Sequence, residues 1–121
     1  MQNTRFNGTD DMRPRIYLSG PITLGDREEN FSRACNMARL LINRGFAVLN
    51  PMLCMKMPGA FDIAYETWME CDLAWVEVAH GLFRLQGKSN GADREVEYAI
   101  QCGVPVFYEV GEMERYFGIG G

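Results

Sequence analysis

The sequence predicts a single α/β domain, a three-layer doubly wound parallel sheet of the flavodoxin or Rossmann-like kind with core strand order 2-1-3-4. Short apolar runs alternate with amphipathic stretches along most of the chain, and the runs are bounded by glycine, proline or asparagine. The 121 residues, 47% of them hydrophobic, suffice for one core and leave no room for a second. Strands alternating with helices require a parallel sheet covered on both faces, and right-handed crossovers leave few ways of connecting it. Setting the second strand on one side of the first, and the third and fourth on the other, creates a switch point between strands one and three. Open α/β sheets bind ligands beyond the carboxyl ends of the strands at that point.

Residues 1–13 are polar, contain Gly8 and lack periodicity, so they read as a flexible arm ahead of one domain over 14–121. Ile16-Tyr17-Leu18 forms the first strand and stops at Ser19-Gly20-Pro21. From Glu28 to Arg44, Phe31, Ala34, Cys35, Ala38, Leu41 and Ile42 recur every three or four residues, which is a helix with one buried face, and Gly45 is its C-terminal cap. Phe46 to Leu49 is the second strand, ended by Asn50-Pro51, and Met52 to Asp62 reads as a loop. A helix follows from Ile63 to Val78, with Tyr65, Trp68, Met69 and Leu73 near one face. Trp68 and Trp75 lie seven apart, share a face, and are assigned to the core. Gly81 to Leu85 is the third strand, Gln86 to Asn90 a loop, and Gly91 to Cys102 a helix closed by Gly103. Val104 to Tyr108 is the fourth strand, and Glu112 to Phe117 a last helical turn.

Composition excludes several classes of function. A formal net charge of −4 does not suit a nucleic-acid polymer as the main partner, although a local pocket for one phosphate is compatible with it. Cys35, Cys54, Cys71 and Cys102 form no CxxC pair and have no histidine at metal-ligand spacing, so no metal is expected. With no secretory leader in the sequence, they read as reduced thiols of a cytoplasmic protein. No apolar run approaches the roughly 20 residues that span a bilayer, so no membrane is expected.

The chemistry gathers in the loops after strands one and three. Ser89-Asn90-Gly91-Ala92-Asp93-Arg94-Glu95 leads into a helix, with Asn90 and Asp93 resembling an N-cap and its acidic follower. Gly91 allows close backbone approach, and Glu95 lies about one turn into the helix, near the expected crevice. Glu97 is roughly 200° further round the axis and belongs elsewhere. Asp72 sits in an apolar context late in its helix, where the dipole disfavours a carboxylate. A solvated Asp on the polar face is the commoner explanation there. Ser19-Gly20-Pro21-Ile22-Thr23 offers hydroxyls and backbone N–H groups ahead of a helix, a setting for a phosphate, but matches neither a Walker loop nor GxGxxG. His80, the one histidine, has no acidic or cysteine partner nearby in sequence and reads as structural; Met52, Met55 and Met57 suit core filling as well as a pocket wall.

Taken together, these segments resemble the nucleoside 2-deoxyribosyltransferase superfamily, and within it the short branch of 2′-deoxynucleoside 5′-phosphate N-hydrolases. The similarity runs from about Arg15 to Tyr108. Ile16-Tyr17-Leu18-Ser19-Gly20-Pro21-Ile22 is similar to the family's opening strand, in which the tyrosine supports a catalytic glutamate and the turn binds the 5′ group. Asp72-Leu73-Ala74-Trp75 is similar to its D-L-x-W stretch, whose aspartate is implicated in protonating the departing base. Ser89-x-Gly91-x-x-x-Glu95 is similar to its S-x-G-x-x-x-E element, with the nucleophile and a serine near the 5′ phosphate. The chain departs from the family at His80, where an acidic residue is frequent, and at Pro21, where the phosphate hydrolases often carry serine.

The resemblance therefore implies an N-glycosidase acting on a nucleoside 5′-monophosphate through a covalent glycosyl-Glu95. Asp72 would be the proton donor and Tyr17 the support of Glu95. Ser19, Gly20, Pro21, Ile22, Thr23, Asn50, Ser89 and Gly91 are expected at the substrate. No metal or organic cofactor is implied, and the expected partners are a small nucleotide or nucleoside and a second copy of the chain in a homodimer. Two alternatives stand beside this expectation: base exchange by a 2-deoxyribosyltransferase, and a non-catalytic nucleotide-binding protein on the same fold.

Overall fold

Alternation along the strands decides which helix covers which face. In the computed structural model, which describes residues 12–119, strands β1 (Arg15–Ser19), β2 (Ala47–Leu49), β3 (Gly81–Arg84) and β4 (Val106–Phe107) form an all-parallel sheet in the order β2-β1-β3-β4. This is the predicted order, and it places the switch point between β1 and β3. Ile16, Leu18, Phe83 and Phe107 point to one face, where they pack with Ala34, Ala38 and Leu41 of helix α1 (Arg27–Asn43) and Met113 and Phe117 of helix α4 (Val110–Phe117). Tyr17 and Leu82 point the other way, to Val76 of helix α2 (Tyr65–Val78) and Ala99 of helix α3 (Asn90–Gln101). Successive side chains of a strand face opposite ways, so a sheet covered on both faces reads as a continuous apolar run.

Helix ends follow local chemistry. Asp26 caps α1, its carboxylate accepting from Glu28 N at 3.0 Å and Glu29 N at 3.2 Å. Ser89, not the expected Asn90, caps α3: its hydroxyl accepts from Ala92 N at 3.1 Å while Asn90 is already helical. Both residues are good caps, and only the backbone path of the preceding loop selects between them.

Four further expectations are corrected. The stretch after β2 is not an irregular loop but two 3₁₀ turns, Pro51–Lys56 and Ala60–Asp62. The fourth strand is only Val106–Phe107, and the terminal turn lengthens to the eight-residue α4. The two tryptophans do not share a core: α2 buries Met69, Asp72 and Val76, a stripe centred roughly 80° round the axis from Trp68 and Trp75. Trp68 is therefore half-buried, with Nε1 donating to Ala60 O at 2.9 Å, and Trp75 is 53% exposed. The arm expected over residues 1–13 lies, up to residue 11, outside the described residues.

Tight contacts hold the two loops of the switch point against each other. A Cβ on Gly20 would come within 2.9 Å of Leu85 Cβ, and one on Gly87, where φ is +121°, within 2.7 Å of Pro21 Cγ. Buried Arg84 donates to the carbonyls of Leu85 and Gly87 and pairs with Asp93 at 3.1 Å, tying the loop after β3 to the start of α3. His80, as expected, is structural: its Nδ1 accepts from Arg15 N at 2.8 Å, aligning the starts of β1 and β3.

Gly87→Ala is expected to destabilise the domain by about 2–3 kcal/mol, because backbone strain and overlap with Pro21 add. Gly103→Ala, at φ +75° with open space around the new Cβ, should cost only about 1 kcal/mol. Urea denaturation midpoints of the two variants measure the difference.

Candidate active site

Tyr17 and Ser19 are same-face neighbours on β1, and the start of α3 brings Glu95 over them. The Tyr17 hydroxyl donates to Glu95 Oε2 at 2.9 Å, and the Ser19 hydroxyl donates to Oε1 at 2.7 Å. Asp72, on the buried stripe of α2, reaches both Glu95 and the Tyr17 hydroxyl. Glu95 is 5% exposed and Asp72 9%. Two carboxyl groups therefore share one buried polar cluster at the switch point, and exposed Glu97 lies outside it.

The electrostatics follow from that burial. Burial is the largest cause raising Glu95, to about 7, with the neighbouring Asp72 pushing the same way and the two hydroxyls opposing. Asp72 rises to about 6, again chiefly through burial. Neighbouring carboxyl groups of this kind titrate as a pair and share a proton near neutrality. Burial and the two carboxylates together push Tyr17 far above its ordinary value, so it remains a donor. The anomaly at Asp72 thus arises from burial in the middle of α2, not from the dipole of a helix end.

An open pocket of about 950 Å³ lies over the pair. Gly20, Ile22 and Thr23 line it from the loop after β1, and Ser89 and Gly91 from the start of α3. Asn30 of α1 steadies the first loop, its Nδ2 donating to Ile22 O at 3.2 Å and Leu24 O at 2.8 Å.

Other expected contacts are displaced. Ser19 has no exposed surface and its hydroxyl is committed to Glu95, so it is a partner of the carboxylate and not a pocket wall. Pro21 is buried against Gly87, and Tyr17 lies behind Glu95. Asn50 turns its side chain inward, accepting from Met52 N at 3.1 Å, and caps the first 3₁₀ turn. The three methionines divide: Met52 enters the core, Met55 lines the pocket, and Met57 is 48% exposed.

Sequence reasoning missed an aromatic wall formed by Phe61, Tyr65 and Trp68, and a cation, Lys88, at the pocket edge. Arg27 stacks on Phe61 at 4.5 Å, and Trp68 braces the same turn through Ala60. The only prior signal was positional: this segment follows the carboxyl end of β2 and so belongs on the ligand side. Among the described residues no three His, Cys, Asp or Glu side chains form a metal-binding group, and no helix is long and apolar enough to cross a membrane.

The sequence matches, over residues 14–108, a family described as a Domain of unknown function (DUF4406). Among solved structures, the fold is similar to that of a 2-deoxyribosyltransferase from the psychrotolerant bacterium Bacillus psychrosaccharolyticus. The TM-score is 0.61 at 20% identity, over 79% of this chain and 75% of that one. At that identity the likeness is one of fold. No curated protein matches the sequence significantly.

The raised carboxyl pair sets a pH dependence of stability. Unfolded carboxyl groups titrate near about pH 4, so between there and neutrality the folded state binds more protons, and stability falls as pH rises. Glu95→Gln removes that penalty. The variant is expected to be more stable than the parent near pH 8 by on the order of 1–3 kcal/mol, with the gap closing toward about pH 4. Thermal melts across that range measure it.

Proposed function

The chain belongs to the DUF4406 family, a domain of unknown function, and on that premise we propose from its site that it cleaves the N-glycosidic bond of a nucleoside 5′-monophosphate, with Glu95 as nucleophile. One observation carries the reading: a buried carboxyl pair, Glu95 held by the Tyr17 hydroxyl and accompanied by Asp72, at the floor of an aromatic-walled pocket. The fold likeness to a 2-deoxyribosyltransferase, described as a biocatalyst for the synthesis of nucleosides, supports it.

The chemistry needs the pair with one proton, carried by Asp72. Deeper burial favours that proton on Glu95 in the free site, so bound substrate has to draw the charge onto Glu95, where positive character developing at C1′ stabilises it. A Glu95 oxygen attacks C1′ as the C1′–N bond breaks, the bonding electrons leave with the base, and the Asp72 proton passes to the base nitrogen. Water then attacks C1′ of the glycosyl ester and gives its proton to Asp72. Glu95 is released as carboxylate, and two displacements leave the sugar with retained configuration. Tyr17 steadies the carboxylate throughout. The aromatic wall suits a planar base, and Thr23, Lys88, Ser89 and the start of α3 suit the 5′ phosphate. No cofactor enters these steps. Base exchange is the same first half-reaction with a second base in place of water.

A panel of nucleosides and 5′-monophosphates, incubated with and without a second free base, tests the reading by product identity. Glu95→Gln is expected to lower turnover by at least about 10³-fold while ligand binding persists, and Glu97→Gln to stay near the parent. Asp72→Asn should lose about 10²- to 10⁴-fold, most with poor leaving groups. Ser89→Ala should narrow the preference for the monophosphate by about 10-fold. Turnover by Glu95→Gln at the parental rate would sink the mechanism. A rate falling on both sides of an optimum between about pH 6 and 7 is expected, because the doubly protonated pair lacks a nucleophile and the doubly ionised pair lacks an acid.

The proposal extends to a homodimer. Trp75, Val78 and Leu49, exposed by 53%, 51% and 37%, border one apolar groove between α2 and β2, a surface that a second copy would cover. Sedimentation at micromolar concentration should give a species heavier than the 13.7 kDa chain.

A further inference from the structure

Ser19 is the one expected substrate contact whose side chain the fold turns wholly away from solvent. It has no exposed surface, lies on a strand paired on both sides, and donates to Glu95 Oε1 at 2.7 Å. Its main chain is fixed as well, since Ser19 O accepts from Leu85 N at 2.7 Å across the switch point. Tyr17, two residues earlier on the same strand, donates to the other oxygen at 2.9 Å. A carboxylate held at both oxygens by donors from one strand has its plane fixed, whereas one that keeps only the Tyr17 hydroxyl on β1 can turn about that bond.

We propose that Ser19 is a positioning residue for the reaction assigned to Glu95: its hydroxyl fixes the plane of the carboxylate and holds it toward the pocket, and it does not contact substrate. This rests on the function proposed above. A hydrogen bond to an ionised acceptor is stronger than one to a neutral acceptor, so the contact also favours the charged form of Glu95. Among the causes acting on that carboxyl, the Ser19 bond is the largest that opposes burial. The titratable groups facing Glu95 are Tyr17 on β1 and Asp72 on α2, with the Cys71 thiol beside Tyr17.

The test is a carbon-detected NMR titration of the Glu95 carboxyl in the substrate-free protein, paired with steady-state kinetics. Ser19→Ala is the first variant. Ser19→Cys, with a near-isosteric but weaker donor, carries the test if the alanine variant does not fold. The Glu95 midpoint is expected to rise by about one unit or more in Ser19→Ala and by less in Ser19→Cys. The acid limb of the rate profile should move upward with it. Turnover should fall about 10- to 100-fold with KM within about threefold of the parent, the mark of an interaction that matters in the transition state. An unmoved midpoint, or a raised KM with kcat intact, would overturn the role of Ser19 while leaving that of Glu95 in place. A parent protein that cleaves no N-glycosidic bond would overturn the proposed function, and with it any part of Ser19 in the reaction, whatever the midpoint does.

Discussion

The carboxylate of Glu95 lies at the end of the sheet with 5% of its surface exposed, and much of the surrounding structure answers the cost of that placement. A carboxylate taken out of water loses hydration that only hydrogen bonds or opposite charge can replace. Among the described residues no cation is hydrogen-bonded to it. Two hydroxyls from β1 are, one on each oxygen, and the second carboxyl, Asp72, is held close enough that both groups titrate high. Such an arrangement opposes folding at neutral pH, and persists because the apolar faces of β1 and β3 supply the stability it lacks. Proteins commonly sacrifice stability where a site needs a strained or ionised group.

Rigidity at the switch point follows from how closely two loops approach. Gly20 lies against Leu85, and Gly87 against Pro21, at separations that leave no room for a side chain. Arg84 uses its buried guanidinium on the carbonyls of the loop after β3 and on Asp93, and so ties that loop to the start of α3. The hydroxyls of β1 and the carboxylate of α3 are thereby held in register by the β1–β3 pairing itself. A site assembled from the ends of paired strands gains precision that a site built on free loops lacks.

The pocket draws its lining from two parts of the α/β plan. Its polar lining comes from the loops that any doubly wound sheet presents at a switch point. Its aromatic lining comes from the 3₁₀ turns after β2 and the first turns of α2, where Phe61 is stacked by Arg27 and braced through Trp68. The first lining is therefore built on the most constrained part of the fold. The second is held by exposed contacts, such as Lys56 to Glu28 at 2.8 Å, that water and salt weaken.

The strand order was legible in the sequence, and so were Glu95, Asp72 and Tyr17 as candidates for one site. Apolar runs of strand length, broken by Gly, Pro and Asn, report burial on both faces directly, and handedness then leaves few arrangements. What pattern alone did not specify was the direction in which a polar side chain points. Ser19 looks like a phosphate ligand in its loop, yet strand alternation places it beside Tyr17 and under Glu95. Asn50 looks like a pocket residue and is a cap; Trp75 looks like core and is exposed, because the buried stripe of α2 runs through Asp72. The burial that raises the carboxyl pair, and the aromatic wall from a segment without periodicity, exist only once α2, α3 and β1 converge. Hydrophobic pattern is a local property and determines which elements form. Hydrogen-bond partners and desolvation depend on residues far apart in the chain, as Tyr17, Asp72 and Glu95 are, and only the tertiary structure decides them.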